Sequence, residues 1–270
     1  MPLAAAIQMT STPNVPENLA AARALLEQAS RRGAVLAAVP ENFVIMGLHE
    51  RDKLAVAETD GDGPIQSWLG QTARDLRLWI IGGTMPLRSA EPDKVAAACL
   101  VYNSEGTRVA RYDKIHLFDV SIPGRDESYR ESASIAAGNV PVVVDTPIGR
   151  IGLAVCYDMR FPELFRNLAA QGAEVLSLPS AFTAPTGQAH WDVLLRARAV
   201  ENLSYVIAPA QTGVHASGRE TYGNAMIVDP WGVVLDRVGS GPGIAVADID
   251  KTTQQQVRER FPALKHRKML

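Results

Sequence analysis

Short runs that are apolar from end to end restrict this chain more than any other feature. Residues 34–39 read Ala-Val-Leu-Ala-Ala-Val and stop at Pro40, and residues 3–9, 174–178, 205–209 and 225–229 are close variants of that pattern. A strand with no polar face must be covered on both sides, which calls for a sheet buried between layers. Helical stripes lie between these runs. Residues 17–32 place Leu19, Ala22, Leu25, Leu26 and Ala29 on one face and end at Gly33, and helices are also predicted over 64–77, 162–171 and 189–203. Residues 95–103 and 107–112 form a hairpin across Ser104-Glu105-Gly106, and 142–145 with 150–155 form another around Pro147 and Gly149. Further strands are read at 78–85, 233–236 and 244–249, and a polar amphipathic helix at 251–260. The stretch 118–138, rich in Ser, Gly, Pro and charge, reads as a long functional loop. Hairpins mixed with strand-helix-strand units predict an α/β fold of two packed sheets between helical layers. With no internal repeat and no linker, residues 1–270 read as one domain.

Composition narrows the function. Among 270 residues, 47% hydrophobic and 21% charged is the balance of an ordinary folded protein. A net charge of −2 supplies no basic field for nucleic acid, and no apolar run reaches a membrane-spanning length. Residues 1–18 contain no Lys or Arg, unlike a signal or transit peptide. The two cysteines read as reduced thiols, so a soluble, cytoplasmic protein is expected. There is no GxGxxG, GxxxxGK[ST] or GxSxG, and the five histidines have no HExxH or CxxC companions. The expectation is therefore a protein with neither cofactor nor metal.

Three reactive residues stand where apolar strands end, the place at which α/β proteins build sites. Glu41 follows Pro40; read alone, a solvated loop glutamate or a helix cap is its plainer reading. Lys114 opens the long loop among Ile115, Leu117 and Phe118; a surface lysine is its plainer reading, but burial there would demand an anionic partner. Cys156 ends the run 150–155 shortly before Pro162, a first-turn proline, so amide donors near a helix start could stabilise thiolate and oxyanion. A buried inert cysteine is the alternative there. For Cys99, placed mid-strand among alanines and valines, the inert reading is preferred.

Taken together, Pro40-Glu41-Asn42, the segment Tyr112-Asp113-Lys114-Ile115-His116-Leu117-Phe118-Asp119 and the segment Cys156-Tyr157-Asp158-Met159-Arg160-Phe161-Pro162-Glu163 resemble, in order, the catalytic motifs of the nitrilase superfamily of carbon–nitrogen hydrolases. The resemblance runs from residue 3 to about 250. It implies a four-layer α-β-β-α sandwich, a Glu41-Lys114-Cys156 catalytic set, and protomers paired through an outer helical layer into a homodimer or higher homo-oligomer. Glu131 matches a second family glutamate that orients the lysine, and the Tyr157 backbone N–H matches an oxyanion donor. Pro179-Ser180-Ala181-Phe182, the segment from His190-Trp191-Asp192 to Ala199, Ala210-Gln211 and Asp229-Pro230-Trp231-Gly232 are similar to the deaminated glutathione amidase branch. That branch implies a small carboxylate-bearing amide as substrate, hydrolysed to 2-oxoglutarate and cysteinylglycine. Arg160, Phe182 and Thr186 become the implied substrate-binding residues. One departure stands out: Asn224-Ala225 follows Tyr222-Gly223 where the branch often has His-Ser. Sister activities within the superfamily, an omega-amidase or a carbamoylase, and a non-enzymatic scaffold are the competing readings.

Overall fold

Period-two alternation sends neighbouring side chains of the first strand to opposite faces, and both faces are apolar. In a computed structural model of the chain, which describes residues 1–122, 124 and 127–268, Ala4 and Ala6 of the strand Leu3–Met9 join one buried cluster. Ala5 and Ile7 join another. The strand Ala34–Val39 divides in the same way, with Leu36 and Ala38 inward and Ala37 and Val39 outward. A strand so divided can be stable only with packed layers above and below it, as the apolar runs required.

Two sheets meet that requirement. In the larger, Leu3–Met9 pairs in parallel with Ala34–Val39, which pairs in parallel with Trp79–Gly82. The hairpin Val95–Tyr102 and Arg108–Asp113 continues that side, and Gly243–Asp248 runs antiparallel to Leu3–Met9 on the other. The smaller sheet has Gly149–Leu153, Val175–Ser177 and Tyr205–Ala208 as parallel neighbours, with Val142–Thr146 on one edge and Met226–Val228 then Val234–Arg237 on the other. The helices Val15–Arg31 and Pro64–Leu76 cover the larger sheet's outer face, burying Leu25, Leu26, Leu69 and Ala73 against it. Pro162–Ala170 and Ala184–Asn202 cover the smaller sheet, and the two sheets share a core between them. The result is the expected α-β-β-α sandwich.

The parallel strands deliver their carboxyl ends to a common region, where the chain also crosses between sheets. Tyr205–Ala208 belongs to the smaller sheet, and directly after Pro209 the strand Ala210–Val214 pairs in parallel with Leu3–Met9 of the larger. That crossing aligns the two sheets where the site lies.

Several boundaries differ from the sequence reading for local reasons. The predicted helix 189–203 starts earlier, at Ala184, because Thr183 is extended and Pro185 fits a first turn. The predicted strand 78–85 is split into Trp79–Gly82 and Met85–Arg88 at Gly83, whose φ of +44° no ordinary strand residue adopts. A Cβ on Gly83 would lie 1.9 Å from the Pro40 carbonyl oxygen, so only glycine lets this turn pass beside Glu41. The stretch 118–138 is not a featureless loop. It carries the paired strands Asp119–Ser121 and Ser128–Arg130, a 3-10 turn Glu131–Ala133 and a two-residue strand Ile135–Ala136.

Trp191 ties the outer helical layer to the site. It is fully buried, its indole N–H donates to the Asn224 carbonyl at 2.8 Å, and its ring meets Phe182 edge-on at 5.2 Å. Trp191→Phe keeps most of the apolar surface but leaves that carbonyl without this donor. A loss of about 1–3 kcal/mol is expected, measured as a lower midpoint of denaturant unfolding; an unchanged midpoint would show the bond to be immaterial.

Candidate active site

Glu41 owes its position to bonds on both sides of it. Its carbonyl accepts from Gln211 Nε2 at 3.0 Å, and the following amide, on Asn42, donates to Thr84 Oγ1 at 2.8 Å. Asn42 has φ of +57°, a left-handed turn that asparagine tolerates, and it bends the chain directly after the strand. The carboxylate therefore points inward, 3% exposed, with Oε1 2.7 Å from Lys114 Nζ.

Lys114 is 1% exposed, so its charge needs neutralising partners, and it has two. Besides Glu41, its Nζ donates to Glu131 at 2.9 Å and 2.7 Å, to Oε1 and Oε2 respectively. Glu131 Oε2 also accepts the Phe118 amide at 2.7 Å, which fixes the glutamate against the loop. Burial works against the Lys114 charge, but the charges of Glu131 and Glu41 outweigh it and hold the ammonium well above the usual lysine range. Burial likewise pushes Glu41 up, yet the Lys114 charge and hydrogen bond bring its carboxyl below the ordinary range. Both groups are ionised in the resting site.

Cys156 sits at a bend that few side chains adopt. Val155 is extended, and Cys156 has φ of +47° before the 3-10 turn Cys156–Arg160. A left-handed non-glycine residue costs on the order of 1–3 kcal/mol, so its surroundings must hold it there. The Cys156 amide donates to the Pro179 carbonyl at 2.9 Å, and the Val155 amide donates to Asp158 Oδ2 at 2.8 Å. The bend presents the sulfur to the cavity, whose wall it shares with Glu41, Lys114 and Ala181. Burial first, then the Glu41 charge, push the thiol up, and only Lys114 and the Ala181 amide pull the other way. The resting pair is thus a neutral thiol and an ionised carboxylate lining one cavity. The Tyr157 amide occupies the first turn after the bend, where helical N–H groups lack intrahelical partners. Cys99 offers a contrast. It is fully buried in Val95–Tyr102, and burial, then the Asp113 charge, push its thiol up to about 12.

Asp158 locks the cysteine to the lysine, a function its sequence did not reveal. It is fully buried, and its Oδ2 accepts the Tyr112 hydroxyl at 2.6 Å as well as the Val155 amide. Its Oδ1 accepts the His116 amide at 3.0 Å and lies 2.7 Å from His116 Nδ1. Tyr112 and His116 flank Lys114, so one carboxylate spans both motifs. The His116 ring stacks on Phe161 at 3.7 Å.

The cavity around these groups brings together most of the residues picked from sequence. Glu41, Lys114, Glu131, Cys156, Tyr157, Phe182 and Thr186 all line it. Arg160 does not. Its guanidinium lies 5.4 Å and 5.8 Å from the centres of the Phe182 and Tyr157 rings, and its Nη1 is 3.2 Å from His190 Nδ1. Asn224 is also outside the lining; with φ of +60° it serves the turn that receives Trp191. Sequence reading missed Lys53, Tyr129 and Arg219, which complete the wall. Each lies in a polar, turn-rich stretch whose composition marks only solvent exposure, so no local signal distinguished them. Among the described residues, no group of three or more His, Cys, Asp or Glu side chains is placed to hold a metal ion, and no helix is long and apolar enough to cross a membrane.

Comparison with known proteins decides the family. The family model described as Carbon-nitrogen hydrolase matches residues 3–259. The chain belongs to the carbon-nitrogen hydrolase family. This hydrolase is 47% identical over 268 residues to the deaminated glutathione amidase of Synechocystis sp. strain PCC 6803, covering 98% of this chain and 97% of the relative. Its fold superimposes on the crystal structure of the Caenorhabditis elegans NitFhit protein with a TM-score of 0.90 at 38% identity, over 98% of this chain and 65% of that one. It also resembles the amidase from Nesterenkonia sp. AN1, solved with acrylamide added at its active-site cysteine (TM-score 0.79, 27% identity, 97% of this chain and 98% of that one). The hydrolase acts on amides, and its relatives of known fold confirm the sandwich.

Proposed function

We propose that this hydrolase cleaves a small carboxylate-bearing amide through a thioester on Cys156, and that the amide is deaminated glutathione. The convergence of Glu41, Lys114 and the Cys156 sulfur in one buried cavity carries the mechanism. Likeness to deaminated glutathione amidases over nearly the full chain supports the substrate.

In this reading Glu41 takes the thiol proton as the sulfur attacks the amide carbon. The carbonyl oxygen becomes an oxyanion that Lys114 and the Tyr157 amide stabilise. Glu41 returns the proton to the nitrogen, the carbon–nitrogen bond breaks, and cysteinylglycine departs from the acyl thioester. A water deprotonated by Glu41 then attacks the thioester and releases 2-oxoglutarate and the free thiol. Glu131 holds the Lys114 ammonium in place through both steps. Phe182 and Thr186 border the acyl chain, and Arg160 adds positive potential from behind the Phe182 and Tyr157 rings.

Two measurements test the proposal together. Purified enzyme should release cysteinylglycine from deaminated glutathione with a higher kcat/KM than it releases ammonia from 2-oxoglutaramate. Acid-quenched reaction mixtures should show an acyl adduct on the Cys156 peptide. A preference for 2-oxoglutaramate or for ureido acids would assign a sister activity, no turnover of any amide would favour a scaffold, and an adduct on Cys99 would overturn the mechanism.

The reading extends to assembly and location. Val193, Val200, Trp231 and Val233 are exposed apolar side chains, and the Asp229–Val233 turn rests on the outer helix through the Arg196 bond to the Gly232 carbonyl at 2.7 Å. Such a patch suits a second copy of the chain. Light scattering is expected to give twice the 29.1 kDa chain mass, and Val200→Glu is expected to shift it toward the monomer; a monomeric parent protein would refute the pairing. Two buried free thiols fit a reducing compartment, the cytoplasm.

A further inference from the structure

Three cations line the cavity beside three carboxylates, Glu41, Glu50 and Glu131, and two of the cations are held in direct ion pairs. Lys114 is paired with Glu41 and Glu131, and Lys53 Nζ lies 2.9 Å from Glu50. Arg219 makes no ion pair among the described residues. Its Nη2 donates to the Ala181 carbonyl at 2.6 Å, its guanidinium lies 5.0 Å from the centre of the Tyr129 ring, and its Nε is buried with no hydrogen-bond partner among the described residues. An aromatic face and a neutral carbonyl orient a guanidinium without cancelling its charge. A buried donor left unpaired is costly, and a bound anion would satisfy it.

The backbone that carries Arg219 is built to hold it there. The residue ends a tight turn between Ala210–Val214 and Glu220–Tyr222, and its carbonyl accepts the His215 amide at 2.8 Å. His215 is buried, with its ring nitrogens 2.9 Å from the Ser11 carbonyl and 2.8 Å from Thr221 Oγ1, and it anchors the turn.

Arg219 also borders a second, more open recess, which shares Asn42, Glu50, Lys53 and Tyr129 with the catalytic cavity. Position on this border decides which anion it meets. In a thioester mechanism the amine leaves while the acyl group is still bonded to sulfur, so the leaving half must occupy the open side. We infer that Arg219 is a specificity residue that binds a carboxylate on the leaving-amine half of the substrate, with the open recess as the leaving-group site. This rests on the function proposed above, in which the leaving dipeptide ends in a glycine carboxylate.

The test compares deaminated glutathione with its C-terminal carboxamide, which keeps the same scissile amide and acyl group. Wild-type enzyme is expected to favour the acid by about 10- to 100-fold in kcat/KM, the range of a charge-assisted pair. In Arg219→Gln that preference should fall to within about twofold, mainly through KM for the acid, and Arg219→Lys should restore part of it. A merely structural role would lower both rates by one factor and leave the ratio unchanged, which would overturn the inference, as would a wild-type enzyme indifferent to the carboxylate. Wild-type enzyme inactive on both compounds would instead refute the substrate reading. The same acid and carboxamide pair, built on whichever acyl group is turned over, then decides the role of Arg219 by the same ratio.

Discussion

Cys156→Ala is expected to lower turnover by at least about 10³-fold while leaving a folded protein. The size follows from chemistry, because without the sulfur no covalent acyl intermediate forms and water must attack the amide directly. The fold should survive because the bend at Cys156 is held by the Cys156 and Val155 amides, which alanine retains. Steady-state rates with circular dichroism and thermal melting check both parts. A variant with a tenth of normal activity would remove Cys156 from the reaction, whereas an unfolded variant would show the sulfur to be a packing element.

Lys114→Met should lower kcat by about 10²- to 10³-fold, the cost of one oxyanion donor, with a smaller change in KM. A second effect adds to it. The Lys114 ammonium is what keeps Glu41 below the ordinary carboxylate range against its own burial. Without that cation, burial and the nearby Glu131 charge drive Glu41 upward, so the acid limb of the pH–rate profile should move toward neutral pH. Because a protonated Glu41 cannot accept the thiol proton, the variant should recover part of its rate as pH rises. Two carboxylates left facing each other in a buried site also threaten folding. Glu131→Gln combined with Lys114→Met removes one of those charges and keeps the kinetic question answerable. A variant with normal kcat and a raised KM would make Lys114 a substrate-binding group instead.

How much of this was readable beforehand depends on the range of the interaction. Apolar runs such as residues 34–39 marked the strands because burial on both faces leaves its imprint on every residue. The strands Ala210–Val214 and Glu220–Tyr222 were not recognised, since they mix polar residues with glycine and owe their pairing to the larger sheet. Glu41, Lys114 and Cys156 were singled out because each follows a strand and lies in an ordered motif. Arg219 and Lys53 were not, because a polar residue in a turn reads the same whether it faces solvent or a cavity. Arg160 was read as a substrate-binding residue, but nothing local told that its guanidinium would lie behind two aromatic rings instead of among the cavity residues. Facing directions of this kind are set by tertiary packing.

The four contacts of Asp158 bear on any attempt to rebuild this enzyme. They make the turn that carries the sulfur and the segment that carries the ammonium a single mechanical part, joined through Tyr112 and His116. A designer grafting the Cys156 turn into another scaffold would have to transplant those two residues with it, or the sulfur would arrive without the ammonium in register.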